Sequence, residues 1–216
     1  MKKTLTTIAL IFFVLLTFSQ EGKAKYYEKM GETLGQWATC KTVEDFNSLS
    51  NKFLVIAQVE KTEWLPLYYA INCKTIMAFT EAENKIKKDA YLDDAEKLFI
   101  KIKEIAPEES EIYALEALFF TARLTVDPMT RGQEFSMKSN ESAYKSLTIN
   151  QNNPRAKYIH LANKIGFAQF FGKETLEECN EAKNLLENWD KYNETKNSLA
   201  PKWGRNLVKG ILSNCK

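Results

Sequence analysis

Residues Asp93–Phe120 read DDAEKLFIKIKEIAPEESEIYALEALFF, and their spacing decides the fold. With Leu92 before them, Ala95, Phe99 and Ile102 recur at the three- and four-residue intervals of one helix face. Pro107 marks the end of that helix, because its ring and missing N–H do not continue one. The following stretch carries two apolar stripes, Ile112/Leu115/Phe119 and Tyr113/Ala117/Phe120/Leu124. A helix apolar on two sides is buried between neighbours. The segment therefore predicts two antiparallel helices, the second sandwiched in a larger helical stack.

The same periodicity extends both ways. Phe46, Leu49, Phe53, Ile56 and Val59 form a stripe behind Thr42, a predicted N-cap with Asp45 three residues on. Leu67, Tyr68, Ile71, Thr75 and Phe79 form another between Leu65 and about Glu83. Three more helices are expected near 140–150, 154–170 and 173–188, and a last one from Trp203. Alternating strand patterns are almost absent. Asp127–Ser139 and Asp190–Pro201 read as loops, since each contains helix breakers. No Ser/Pro-rich linker divides the chain, so residues 20–216 are expected to form one all-α domain of about nine helices.

Internal spacing supplies a family resemblance. Ala95 precedes Phe99 by four residues and Pro107 by twelve, and Tyr113, Ala117 and Phe120 follow. This resembles the tetratricopeptide repeat, in which a small residue lets two helices approach, an aromatic fills the gap and a proline ends the second helix. WLPLYYA sets Trp64 and Leu67 where a first helix of such a repeat has bulky residues, although Tyr68 replaces the usual small one. NNPRA resembles the junction between repeats through Pro154. Trp64 to Tyr113 is 49 residues, against a repeat of about 34, so the array is degenerate. With RLTVDPMTRG, FFG and a final PKWG helix ending in Cys215, the chain is similar to a group of exported tetratricopeptide-like proteins of gram-negative bacteria. That resemblance implies an α-solenoid of antiparallel helix pairs, with a concave surface along the first helix of each pair. It also implies that the aromatics of WLPLYYA are mostly core.

Lys2, Lys3 and the apolar run Ile8–Phe18 have the pattern of a secretory signal peptide. The run is short of the roughly 20 residues that span a bilayer. Cleavage after Ser19 is expected, leaving residues 1–19 outside the domain. No Cys lies near the cut, so a lipoprotein is not expected, and membrane contact is confined to the leader. The protein should be periplasmic or secreted. The sequence has 30 basic and 28 acidic residues, and without Lys2 and Lys3 the two counts are equal, which argues against nucleic-acid capture. Cys40, Cys73, Cys179 and Cys215 are compatible with two disulfides in an oxidising compartment, or with free buried thiols. Antiparallel packing of the last two helices favours Cys179–Cys215, with Cys40–Cys73 as the second pair.

Chemistry is sparse. His160 is the sole imidazole, and no nucleophile motif, phosphate-cradling glycine pattern or metal-ligand spacing occurs. Acidic pairs such as Asp93-Asp94 sit at predicted helix starts, where the helix dipole favours them. No cofactor is expected. Asp127 and Arg131 in the presumed loop, and Lys173 after Gly172, are the candidate partner contacts. The sequence thus points to a non-enzymatic scaffold of the bacterial envelope that binds a protein or peptide in a concave groove. A structural subunit of an envelope assembly is the alternative. An enzyme or small-ligand carrier, its pocket formed by loops around Asp127–Gln133 and Phe170–Lys173, ranks last.

Overall fold

Thr42 opens a helix by a reciprocal cap. Its side chain accepts the backbone N–H of Asp45, whose carboxylate accepts the N–H of Thr42. Helices dominate the computed structural model, which describes residues 22–215. The expected signal peptide and its cleavage site lie outside the described residues.

Helix α1 covers 22–35 and runs into a 3-10 turn, Gln36–Thr39. There follow α2 (Val43–Val59), α3 (Leu65–Thr80), α4 (Lys85–Ile105), α5 (Ser110–Val126), α6 (Pro128–Ile149), α7 (Pro154–Phe170), α8 (Leu176–Glu187), the single turn α9 (Trp189–Tyr192) and α10 (Arg205–Ser213). No strand occurs among the described residues. Each helix from α2 to α8 packs on the next. In addition α3 touches α5 and α5 touches α7, as expected when helix pairs stack in sequence.

The two-sided pattern of α5 has the predicted consequence: the helix is enclosed by α3, α4, α6 and α7. Ala95 and Ala117 are fully buried, and Phe99 meets Phe119 edge to face at 5.2 Å. Phe120 stacks on Phe135 of α6 at 6.1 Å. The Tyr113 hydroxyl donates to the Pro107 carbonyl, tying the turn between α4 and α5. Small side chains bring α5 and α6 together. Ser139 donates to the Ala117 carbonyl, and Ser146 donates to that of Ser110.

Trp64 precedes α3 without a side-chain capping bond, and from Leu65 to Thr75 every residue of that helix is buried. Tyr69 stacks on Phe53 at 5.2 Å, and Tyr68 meets Trp64 at 5.5 Å. Of the WLPLYYA aromatics, Tyr68 and Tyr69 are therefore core, and the half-buried Trp64 packs against it. Pro154 is the first residue of α7, where its fixed φ and missing N–H suit a helix start, and Asn153 caps it.

Helix α6 differs from expectation. Asp127–Ser139 reads as a loop from Pro128 and Gly132, but Pro128 occupies the first helical position and Asp127 is the N-cap, accepting from Thr130 N–H. A proline there starts a helix rather than breaking one. Gly132 is an ordinary interior glycine, and the helix runs on for 22 residues.

Cys179 and Cys215 form a disulfide that closes a 36-residue separation and joins α8 to the end of α10. Cys40 and Cys73 are free, contrary to the second expected pairing. Cys73 is enclosed by the α3 core, which raises its thiol pKa, while the Cys40 thiol donates to the Gln36 carbonyl of its own turn. Reducing the Cys179–Cys215 bond should cost about 2–4 kcal/mol. The check is a denaturant titration with and without reductant, the Cys179→Ser/Cys215→Ser protein serving as a reductant-insensitive control.

Candidate functional site

The residues expected to contact a partner fall into two separate places. Asp127 caps α6 and pairs with Lys85 of α4 at 2.9 Å. One turn on, Arg131 makes a two-pronged bond to Asp89, with Nη–Oδ distances of 2.6 and 2.9 Å. The buried Arg123 of α5 joins Asp89, Asp93 and Glu96 in the same network. Hydrogen bonding from Arg131, then Arg123, holds Asp89 below the usual carboxylate range. These groups clasp α4, α5 and α6 together, so their charges are already committed. The loop-formed pocket expected around Asp127–Gln133 is the capped first turn of a helix. Lys173 lies elsewhere, above the ring of Phe167 at 5.8 Å.

The concave groove expected along the first helices is also not open along α3. The chain returns from α9 and lays residues 193–204 across the N-terminal ends of α3 and α7. Tyr69 donates its hydroxyl to the Leu199 carbonyl at 2.7 Å, and Trp203 Nε1 donates to the Tyr68 hydroxyl at 2.7 Å. Leu199 is buried in the main core. Arg155 of α7 donates through Nη1 to Asn193 Oδ1 and through Nε and Nη2 to Glu111 of α5. Gly204, at φ +112°, packs against Trp189. This strap was not legible as such in the sequence, because a Trp, a Leu and a Pro in a stretch rich in Asn and Lys carry no helical period.

Two surfaces stand out among the described residues. One is a cleft of about 580 Å3 between α1 and α2, floored by Tyr26, Val55, Ile56 and Val59. Its rim has mixed charge, including the Lys29–Glu32 pair, and its floor is mainly aliphatic.

The other surface is aromatic. His160, Lys164, Phe167 and Phe171 follow one another on a face of α7 and its terminal turn, at the spacing of successive helical turns. The His160 ring lies 4.8 Å from that of Tyr144 on α6. Phe167 and Phe171 are 4.7 Å apart, and Phe170 meets Phe171 edge-on at 5.1 Å. Gly172, at φ +63°, ends the helix in the left-handed conformation that glycine adopts freely. The result is large apolar exposure: Tyr144 57%, Phe167 60%, Phe170 80% and Phe171 57%. Met137 and Leu176 are exposed as well. Clustered rings of this kind, rather than scattered ones, mark binding surfaces. Lys164, paired with Glu181 at 2.6 Å, and Lys173 stand beside them.

His160 is held by packing alone on its Nδ1 side, since that nitrogen is buried and has no hydrogen-bond partner. Burial, helped by the nearby Lys164 charge, lowers its pKa, and Glu181 opposes the shift. The imidazole is therefore neutral at neutral pH. Among the described residues no cluster of three or more His, Cys, Asp or Glu side chains could enclose a metal ion, and no helix is long and apolar enough to cross a membrane.

Comparison with solved structures finds the HusA haemophore from Porphyromonas gingivalis, with a TM-score of 0.76 and 26% identity. The chain resembles a haemophore. The match covers 88% of this chain and 92% of HusA, so the likeness runs through the whole helical array rather than one pair. No family model matches the chain, and no curated protein matches it. With HusA as neighbour, the all-α stacked fold is shared. Sequence reading placed Phe170–Lys173 in a candidate pocket loop but did not single out Phe167 or the cluster the three rings form. The available signal was that Phe167 and Phe170 do not share a stripe with the buried Leu161 and Ala168.

Proposed function

We propose that the protein is an exported, non-enzymatic binding protein of tetratricopeptide-like build, whose ligand is a flat apolar molecule of the haem type. The observation that carries this reading is the likeness to the HusA haemophore over nearly the full length of both chains. The α6–α7 face is the site that suits such a ligand. Its exposed rings offer stacking surface, and Lys164 and Lys173 offer positive charge for carboxylate side arms. Haem here is cargo, held by contact and released unchanged, so no catalytic group is needed.

Titrating purified protein with ferric haem, and separately with iron-free porphyrin, tests the reading through the main absorption band of the ligand. Saturable binding with a Kd in the micromolar range or tighter, about −8 kcal/mol, is expected. A linear, non-saturating response to both would overturn it. Removing both rings in Phe167→Ala/Phe171→Ala should cost about 1 kcal/mol per ring, which is roughly a tenfold or greater loss of affinity. Unchanged affinity in that variant would move the site away from this face, with the α1–α2 cleft next to be altered.

A further inference from the structure

We propose that the outer face of α1 and α2 is the contact surface for a second copy of this chain, giving a two-fold symmetric dimer. The first pair of a stacked helical array needs a polar outer side, because no further pair covers it. Here that side exposes Val55 at 61% and Val59 at 74%, one turn apart on α2 and bordering the cleft of about 580 Å3. An aliphatic strip left bare on an end helix is a surface that a partner buries. The inference is independent of the haem reading, since α1 and α2 contribute nothing to the α6–α7 face.

The charges around the strip select a second copy as its occupant. Lys25, Glu28, Lys29 and Glu32 line the cleft from α1 at the spacing of one helix face, and all four are exposed. Their signs alternate, so the row is its own complement when reversed. Laying α1 antiparallel on a second α1, with the two-fold axis between residues 28 and 29, sets Lys25 against Glu32 of the second copy. The same step sets Glu28 against Lys29 of the second copy. On α2, Lys52 stands at one end of the strip and Glu60 at the other. Reversal therefore brings Lys52 towards Glu60 of the second copy, with the valines of both copies between them. A two-fold contact demands this self-complementarity, because every pair occurs twice with its members exchanged. A row of one sign would repel its own copy. The Lys29–Glu32 pair within α1 is exposed at both ends, so little stability is lost when its members turn to a second copy.

Sedimentation velocity over a concentration series, using protein produced from the full-length chain, tests the proposal. Two helices from each copy make a small interface beside the about 800 Å2 per partner of a standard one, so a dimer with a micromolar dissociation constant is expected. Val59→Glu and Lys25→Glu, both at exposed positions, should each weaken association about tenfold or more, while circular dichroism and thermal unfolding stay as in wild type. Lys25→Glu/Glu32→Lys exchanges the charges but keeps the pairs, and should restore association. A wild-type protein that stays monomeric throughout would overturn the proposal, as would a dimer indifferent to Val59→Glu. Failure of the exchanged pair to rescue Lys25→Glu would overturn the antiparallel α1 arrangement. Haem titration of Val59→Glu keeps the two readings apart, with unchanged affinity expected. Loss of haem binding there, with association unaltered, would assign the cleft to the ligand and sink the dimer.

Discussion

Arg155→Met should remove about 3–5 kcal/mol of stability, seen as a lower midpoint in urea or guanidinium unfolding. Arg155 is 4% exposed, and its guanidinium engages the Glu111 carboxylate through two nitrogens. Burial disfavours its charge, but Glu111 outweighs that, and the net shift in its pKa is upward. Truncating the cation leaves Glu111, whose side chain is 13% exposed, with only Asn153 as a side-chain donor. It also frees Asn193 at the start of the strap. A buried charge stripped of its partner accounts for most of the loss, so Glu111→Leu/Arg155→Met should regain much of it. If the single and double variants unfold at the same denaturant concentration, uncompensated charge is not the cause. Against a total stability of about 5–15 kcal/mol, a loss of this size is large.

Gly204→Ala should be nearly as damaging, through shape rather than charge. At φ +112° an L side chain is strained, at a cost of about 1–3 kcal/mol. The added Cβ would lie 2.5 Å from Trp189 Cη2 and 3.1 Å from Cζ2. Trp189 is 2% exposed, in a cluster with Leu161, Leu185 and Val208, so its ring has nowhere to swing. Overpacking adds about 1–3 kcal/mol more. For a domain of this size the combined effect is a fall in Tm of roughly 10 °C, measurable by thermal unfolding. Gly172→Ala is the useful control. That glycine also has positive φ, but no atom comes within 4 Å of an added Cβ, so it should show the backbone strain alone.

What the sequence revealed and what it hid follow from the range of the interactions. Helical periods are local, so α4 and α5, with Pro107 between them, were legible from a single stretch. The capping box at Thr42 was equally plain, because its partners are three residues apart. The α6 boundary was misjudged because Pro128 is ambiguous until Asp127 is seen to cap it. Cys40–Cys73 failed because pairing depends on which way each thiol points, which spacing does not encode. Asp127 and Arg131 were singled out as partner contacts in a loop, but they lie at the start of α6. Their partners Lys85 and Asp89 are 42 residues away, and those partners turn them into a clasp. Of the aromatic face, the Phe170–Lys173 stretch was picked out in advance as a candidate pocket loop, while Phe167 and Tyr144 were not. His160 was read as a packed or half-exposed residue, and its ring lies against that of Tyr144 with Nδ1 buried.

The strap changes how the array must come apart. In an open solenoid each pair touches only its neighbours, so the ends can fray while the middle holds. Here two hydrogen bonds span 130 and 135 residues, from Tyr69 to Leu199 and from Trp203 to Tyr68. They fasten the last segment of the chain to the third helix, and the disulfide holds α10 on α8 behind it. A stack that would otherwise peel from its C-terminal end is latched shut. Unwinding α8 first requires releasing α3, so loss of order is shared across the molecule instead of travelling from one repeat to the next.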